Sequence, residues 1–297
     1  MVKIEPLSTL VKVFSSAKIH LPDKPLDETS VPYLLASDIS VKEFNSFIES
    51  KEPSGYKFEY NNRCVYIVDM CSSEHEAIIE ELRDCFRAPF LGTRSINCPV
   101  QIRGQPLHMS PARDGSHIAP DLAILPHYTY VPPPPVSHPG PPPSDIRGNP
   151  YARIICEVAV AQSSPNLNIK CRLWKREEYA QDVLGIKLYD VKTTRNNPQG
   201  MLDRAMKATL WRSGVARRKW KFGTVKKDGS PIGPNGCNGP NDPNYLITIP
   251  VADVFFDPPV PNIAYIPLAP PPPAVMATNF TIDLYNVQQM VLYYQQK

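Results

Sequence analysis

A chain of 297 residues with 42% hydrophobic residues and a formal net charge of +3 buries a substantial core, which excludes a small scaffold held only by staples and leaves one large domain or two small ones. No apolar run approaches the ~18 residues of a membrane span, and the N-terminal MetValLysIleGluProLeuSer lacks a secretion signal's apolar stretch. With seven cysteines and no C-x-x-C spacing, the reading is a soluble protein with reduced thiols, intracellular (cytoplasmic or nuclear), without a membrane partner.

Residues 1–35 read as an irregular leader. From Ser40, the positions Val41, Phe44 and Ile48 fall at helical spacing with Glu43 in the capping-box place, which predicts a short helix. Residues 56–69 hold two β-rich runs around Asn61-Asn62, residues that tolerate the positive φ of a tight turn, and predict a hairpin. Ser73 and Glu76 form a second capping box, and His75, Ile78, Ile79, Leu82 and Phe86 share one face of the helix that follows. Strands are predicted at about 97–103, 119–125 and 153–160. A helical segment then runs from Asn166 to about Leu184, with Ile169, Leu173 and Val183 inward and Gly185 just past its end. This order predicts an α/β fold with a central mixed sheet flanked by helices.

Two stretches break the pattern. Residues 126–150 contain ten of the 35 prolines, including Pro132 to Pro135 and Pro141 to Pro143, and must loop out of the sheet in polyproline II conformation. Residues 258–273 hold eight more, and 245–256 before them reads as further strand.

Asp121 and Glu157 are each the only acid in an apolar run, at 119–125 and 153–160. A carboxylate taken out of water costs several kcal/mol unless it is paired, protonated or bound to a cation. If the two strands are neighbours, both acids converge on one hard divalent cation, Mg²⁺ or Mn²⁺. The alternative is ordinary ion pairing, of Asp121 with Arg113 or Arg153 and of Glu157 with Lys170. Lys170, in the helix after the Glu157 strand, is placed to orient a water or neutralise a phosphorane-like charge, or is a solvated helix lysine. His75 lies on an inward face, where a core histidine is the commoner reading than an active-site one.

The hairpin, the helix opened by His75, ProAspLeuAlaIleLeu, IleCysGluVal, Lys170 and GlyIleLysLeuTyrAsp (185–190) together resemble a restriction endonuclease family of the PD-(D/E)xK nuclease superfamily, over about residues 38–192. The resemblance implies a restriction-endonuclease-like core and Mg²⁺-dependent hydrolysis of phosphodiesters in DNA, with RNA left open. It implies catalytic roles for Asp121, Glu157, Lys170 and His75, with the metal on Asp121, Glu157 and the carbonyl of Val158. Two departures stand beside it. The usual lysine place two residues after the glutamate is Ala159, so Lys170 takes that part from a helix, and the stretch AlaGlnSerSerProAsnLeu (161–167) has no acid where the family carries one. Restriction enzymes often act as dimers, so a homodimer is compatible with the resemblance.

Residues 195–227 carry ten Lys and Arg against the single acid Asp203. Within them Arg217, Arg218, Lys219, Lys221, Lys226 and Lys227 interleave with Trp220 and Phe222, a pattern for phosphate contact and base stacking, or for a half-buried strand with one basic face. The expected division is a leader at 1–35, a nuclease-like domain at 36–195 with its proline-rich insertion at 126–150, and a basic, proline-rich extension at 196–297. The tracts around Pro132 to Pro135 and Pro270 to Pro273 suit polyproline-reading domains, which gives a second reading, a catalytically inactive nuclease-fold adaptor.

Overall fold

A computed structural model describes residues 18–50, 55–90, 98–131, 144–197, 200–256 and 278–295. In chain order the elements are β1 (Tyr33–Ala36), α1 (Val41–Ser50), β2 (Tyr56–Asn61), β3 (Cys64–Met70), α2 (Ser73–Arg87), β4 (Val100–Gly104), β5 (His108–Met109), β6 (His117–Ile118), β7 (Leu122–Pro126), β8 (Ile154–Ala159) and α3 (Ser164–Trp174). There follow β9 (Asp182–Leu188), β10 (Lys192–Asn196), β11 (Leu202–Asp203), β12 (Ala205–Arg212), β13 (Val215–Gly223), β14 (Leu246–Pro250), β15 (Asn279–Asp283) and α4 (Leu284–Tyr294).

Six strands make one mixed sheet in the order β13-β12-β9-β8-β7-β4. Only β8 and β9 are parallel, and α3 is the crossover that a parallel pair requires. Side-chain alternation divides the core between the sheet's two faces. Leu122, Ile124, Ile154, Cys156 and Val158 pack with Ile78, Leu82 and Phe86 of α2 and Val287 and Val291 of α4. On the opposite face Ala123, Leu125, Ile155, Ala159 and Val183 pack with Leu167, Cys171 and Trp174 of α3. The predicted α/β architecture with a central mixed sheet flanked by helices is present.

The local signals work as chemistry predicts in most places. Glu43 accepts from Ser40 N at 2.7 Å while Ser40 Oγ accepts from Glu43 N at 3.2 Å, a reciprocal cap. Asn62 and Arg63 take positive φ at the hairpin turn, one residue later than Asn61-Asn62. The cap of α2 is likewise one residue off, since it is Ser72 whose side chain accepts from His75 N at 3.3 Å.

Four expectations are corrected. The helix after β8 stops at Trp174, and Val183 and Gly185 lie in strand β9, which is buried along its whole length. Inward on α3 are Leu167, Lys170, Cys171 and Trp174, whereas Ile169 is 64% exposed. The leader is not wholly irregular, because Ile19 is buried with Phe44 and Phe47 and β1 pairs with β3. The sheet also continues past residue 195, as β12 and β13 are two of its six strands and α4 packs beside α2. The polyproline tracts at 132–135, 141–143 and 258–273 lie outside the described residues. No helix among the described residues is long and apolar enough to cross a membrane.

Candidate functional site

Antiparallel pairing of β7 with β8 sets Leu122 opposite Cys156, so Asp121, just ahead of β7, arrives beside Glu157 although 36 residues separate them in sequence. The hairpin β2–β3 lies over this end of the sheet. The register slips between Lys57 and Phe58, where Val68 is an extra residue in β3, a bulge beside Lys57 of the kind that re-aims side chains, and Lys57 is buried. Across the hairpin from Lys57 stands Asp69, whose carboxylate accepts from Val160 N at 3.0 Å and Ala161 N at 2.9 Å. Those two bonds fasten the hairpin to the chain leaving β8.

The Lys57 ammonium is the hub of the centre. It donates to Asp121 Oδ2 at 2.6 Å, to the Val158 carbonyl at 3.0 Å and to Glu157 Oε2 at 3.3 Å. Lys170 Nζ lies 3.2 Å from the same Glu157 oxygen, and the Trp174 indole N–H donates to Glu157 Oε1 at 2.6 Å. Asp121 Oδ2 also accepts from Val158 N at 2.7 Å and has His75 Nε2 at 3.4 Å. All five ionisable side chains are buried, none more than 8% exposed.

Such a cluster is stable only because its charges are paired; a single buried charge left over costs several kcal/mol. Burial opposes the imidazolium of His75, but the Asp121 carboxylate outweighs it and pushes His75 up to about 9. Burial likewise opposes charge on Lys57 and on Asp121, and their mutual attraction wins, holding Lys57 above the usual lysine range and Asp121 below the usual carboxylate range. Glu157 is pushed up, because its desolvation exceeds the attraction of Lys170 and Lys57.

Asp121, Glu157, Val158, Lys170 and His75 are thus brought together. Lys57, Asp69 and Trp174 were not foreseen. Alternation along Tyr56, Phe58 and Tyr60 assigns Lys57 to the polar side of its strand, and no sequence signal says that this side is covered by a second sheet. Arg153 is not the partner of Asp121; it donates to the carbonyls of Tyr151 and Phe256. Arg217, Lys219 and Lys221 stand exposed on β13, on the far edge of the sheet, with Lys226 and Lys227 just beyond it. Trp220 and Phe222 are buried in the core, so the basic strand offers no free aromatic for stacking, and Arg218 lies 4.8 Å over the Trp220 ring.

The three oxygens expected to hold a metal are the three that hold Lys57. Mg²⁺ binds oxygen at about 2.1 Å and demands near-octahedral space. With the ammonium between Asp121, Glu157 and the Val158 carbonyl, that space is filled, so the residues as arranged do not fit the expected ion. A second set, Cys71, His75 and Glu76, brings ligand atoms within 4.8 Å of one another, but it sits at the N-terminus of α2, where the helix dipole disfavours a cation.

The centre opens on a cleft of about 950 Å³ whose floor includes Lys57, His75, Asp121 and Lys170 and whose walls include Arg83, Arg103 and Arg147. Comparison with known families finds no matching family model, and none of the curated proteins matches. Among solved structures, the chain is similar to one described as a "putative nuclease belonging to DUF820" from Anabaena variabilis, at 12% identity, with 61% of this chain and 84% of that chain covered and a TM-score of 0.38. At that distance the chemistry of the centre has to be argued from its own geometry.

Proposed function

We propose that this chain is a nuclease-type protein that engages the phosphodiester backbone of nucleic acid at the Asp121–Glu157 centre. The observation that carries the reading is the convergence of two strand carboxylates and a strand carbonyl on one cation position, at the floor of a cleft with arginine walls. In such a cleft a backbone phosphate meets Arg83, Arg103 and Arg147 first, as charge-assisted donors. Deeper in, Lys170 and His75 are donors held in place by the carboxylates, preorganised for charge on phosphoryl oxygens.

The test is an incubation of the full chain with supercoiled DNA and with single-stranded DNA and RNA, in EDTA, Mg²⁺ or Mn²⁺. Nicking that disappears in Asp121→Ala and Glu157→Ala supports a hydrolytic centre, and nicking unchanged in both removes these residues from it. A second reading, binding without hydrolysis, is favoured by the position of Lys57. Its signature is nucleic acid retained by the wild-type chain, uncut under every condition and released by Arg83→Glu with Arg103→Glu. No retention and no cleavage under any condition overturns both readings.

A further inference from the structure

The acidic pair of this centre has its cation already, and the cation belongs to the chain. Lys57 reaches Asp121 Oδ2, Glu157 Oε2 and the Val158 carbonyl at 2.6, 3.3 and 3.0 Å, which is one donor for each oxygen of the expected metal set. An ammonium has three hydrogens, and three acceptors satisfy it. With Lys170 at 3.2 Å from Glu157 Oε2, two lysines balance two carboxylates before any ion is added. A divalent ion entering this space would meet a buried cluster whose carboxylates are already compensated by cations rather than an acidic one.

Nor is the lysine free to withdraw at small cost. It is 7% exposed and leaves β2 beside the bulge, and its cross-strand neighbour Asp69 is bonded to Val160 N and Ala161 N at the end of the strand that carries Glu157 and Val158. The hairpin that supplies the ammonium and the strand that supplies two of its three acceptors are therefore locked together by a separate pair of hydrogen bonds. Withdrawing Lys57 would break three charge-assisted or carbonyl bonds and leave two buried carboxylates facing each other without the cation between them.

We propose that the Lys57 ammonium is the resident cation of this centre, standing where a divalent metal would stand, so that the chain binds no divalent ion at Asp121 and Glu157 and gains such a site when Lys57 is shortened. The inference rests on the nuclease-type reading of the centre for its meaning, but its chemistry is independent of nucleic acid. A shortened side chain leaves two carboxylates and a carbonyl around an empty position, the oxygen set that Mg²⁺ and Mn²⁺ prefer.

The experiment is a Mn²⁺ titration of the full chain without nucleic acid, following the free-ion signal by electron paramagnetic resonance, alongside thermal unfolding in Mn²⁺ and in EDTA. The wild-type chain is expected to show no saturable uptake and the same unfolding midpoint in both media. Lys57→Ala is expected to take up one Mn²⁺ per chain and to unfold at a higher temperature in Mn²⁺ than in EDTA, and Lys57→Ala with Asp121→Asn to lose both effects. Saturable uptake by the wild type that vanishes in Asp121→Asn overturns the proposal, as does a folded Lys57→Ala that takes up none. Should Lys57→Ala fail to fold, the wild-type titration decides alone. A chain that excludes Mn²⁺ yet retains no nucleic acid sinks the functional reading and leaves this one standing; a chain that retains nucleic acid and takes up Mn²⁺ does the reverse.

Discussion

Glu157 is wholly buried, and its two oxygens are served differently: Oε2 by the two lysines, Oε1 by the indole N–H of Trp174 at 2.6 Å. Trp174→Phe keeps an aromatic ring in the core and removes that donor. The carboxylate oxygen is then left short of a partner in a dry site, at a cost of about 1–3 kcal/mol, to be read as a lower urea midpoint with an unchanged slope. An unchanged midpoint would mean that the indole bond contributes nothing. The acids of this centre were legible because each is the sole acid in an apolar run, a conflict that demands a partner. Its partners were less so. Lys170 could be named because it lies on the helix that follows the Glu157 strand, whereas Lys57 sits on a strand whose alternation between aromatic and polar residues reads as an ordinary solvated face. Which side of a hairpin is covered is a fact of tertiary packing, and it leaves no mark on the strand's own period.

At the scale of elements, the unit β8–α3–β9 positions the centre, and it turns on Gly185. A Cβ there would lie 2.9 Å from Cys171 Sγ on α3 and 3.1 Å from the Trp211 ring, so the missing side chain is what lets α3 lie close enough for Lys170 and Trp174 to reach Glu157, which is Gly185's register partner. The same glycine explains why the sequence suggested a longer helix. A glycine after an apolar run reads equally as a helix stop and as a point of close approach, and a strand buried on both faces has no alternation to separate the two. Gly185→Val is expected to push α3 off the sheet and to cost about 1–3 kcal/mol by overpacking. Thermal unfolding checks this, and a wild-type midpoint would show that α3 has room the packing does not reveal. Capping boxes and the hairpin turn were read to within one residue because their signals are local; the pairing of β12 and β13 into the same sheet was not, because nothing local states which strand a basic, β-rich segment will join.

Across the whole molecule, the centre and the basic edge share one face of one sheet. Glu157 is in register with Gly185, Gly185 with Thr209, and Thr209 with Lys219, so Lys219 lies in the same row as Glu157, three strands away, about 14 Å at the usual strand spacing. Beside it Lys207 faces Lys221 across β12 and β13, a like-charge pair that costs stability where it stands. Burial and the surrounding Lys219, Arg217, Lys221 and Lys227 together hold Lys207 below the usual lysine range. Self-repulsion of this kind is relieved by a polyanion, and under the proposed function that polyanion is the backbone whose neighbouring phosphate enters the cleft. Replacing the exposed Arg217, Lys219 and Lys221 by Glu should then weaken nucleic-acid binding at low salt and reduce the slope of log K against log salt by about 2 to 3, since each lost phosphate contact removes somewhat less than one released counterion. The substitutions leave the buried Trp220 and Phe222 untouched, so folding is expected to survive them. A binding constant that falls while the salt slope stays fixed would place the phosphate contacts elsewhere, with the arginine-walled cleft as the remaining cationic surface on the path to Asp121.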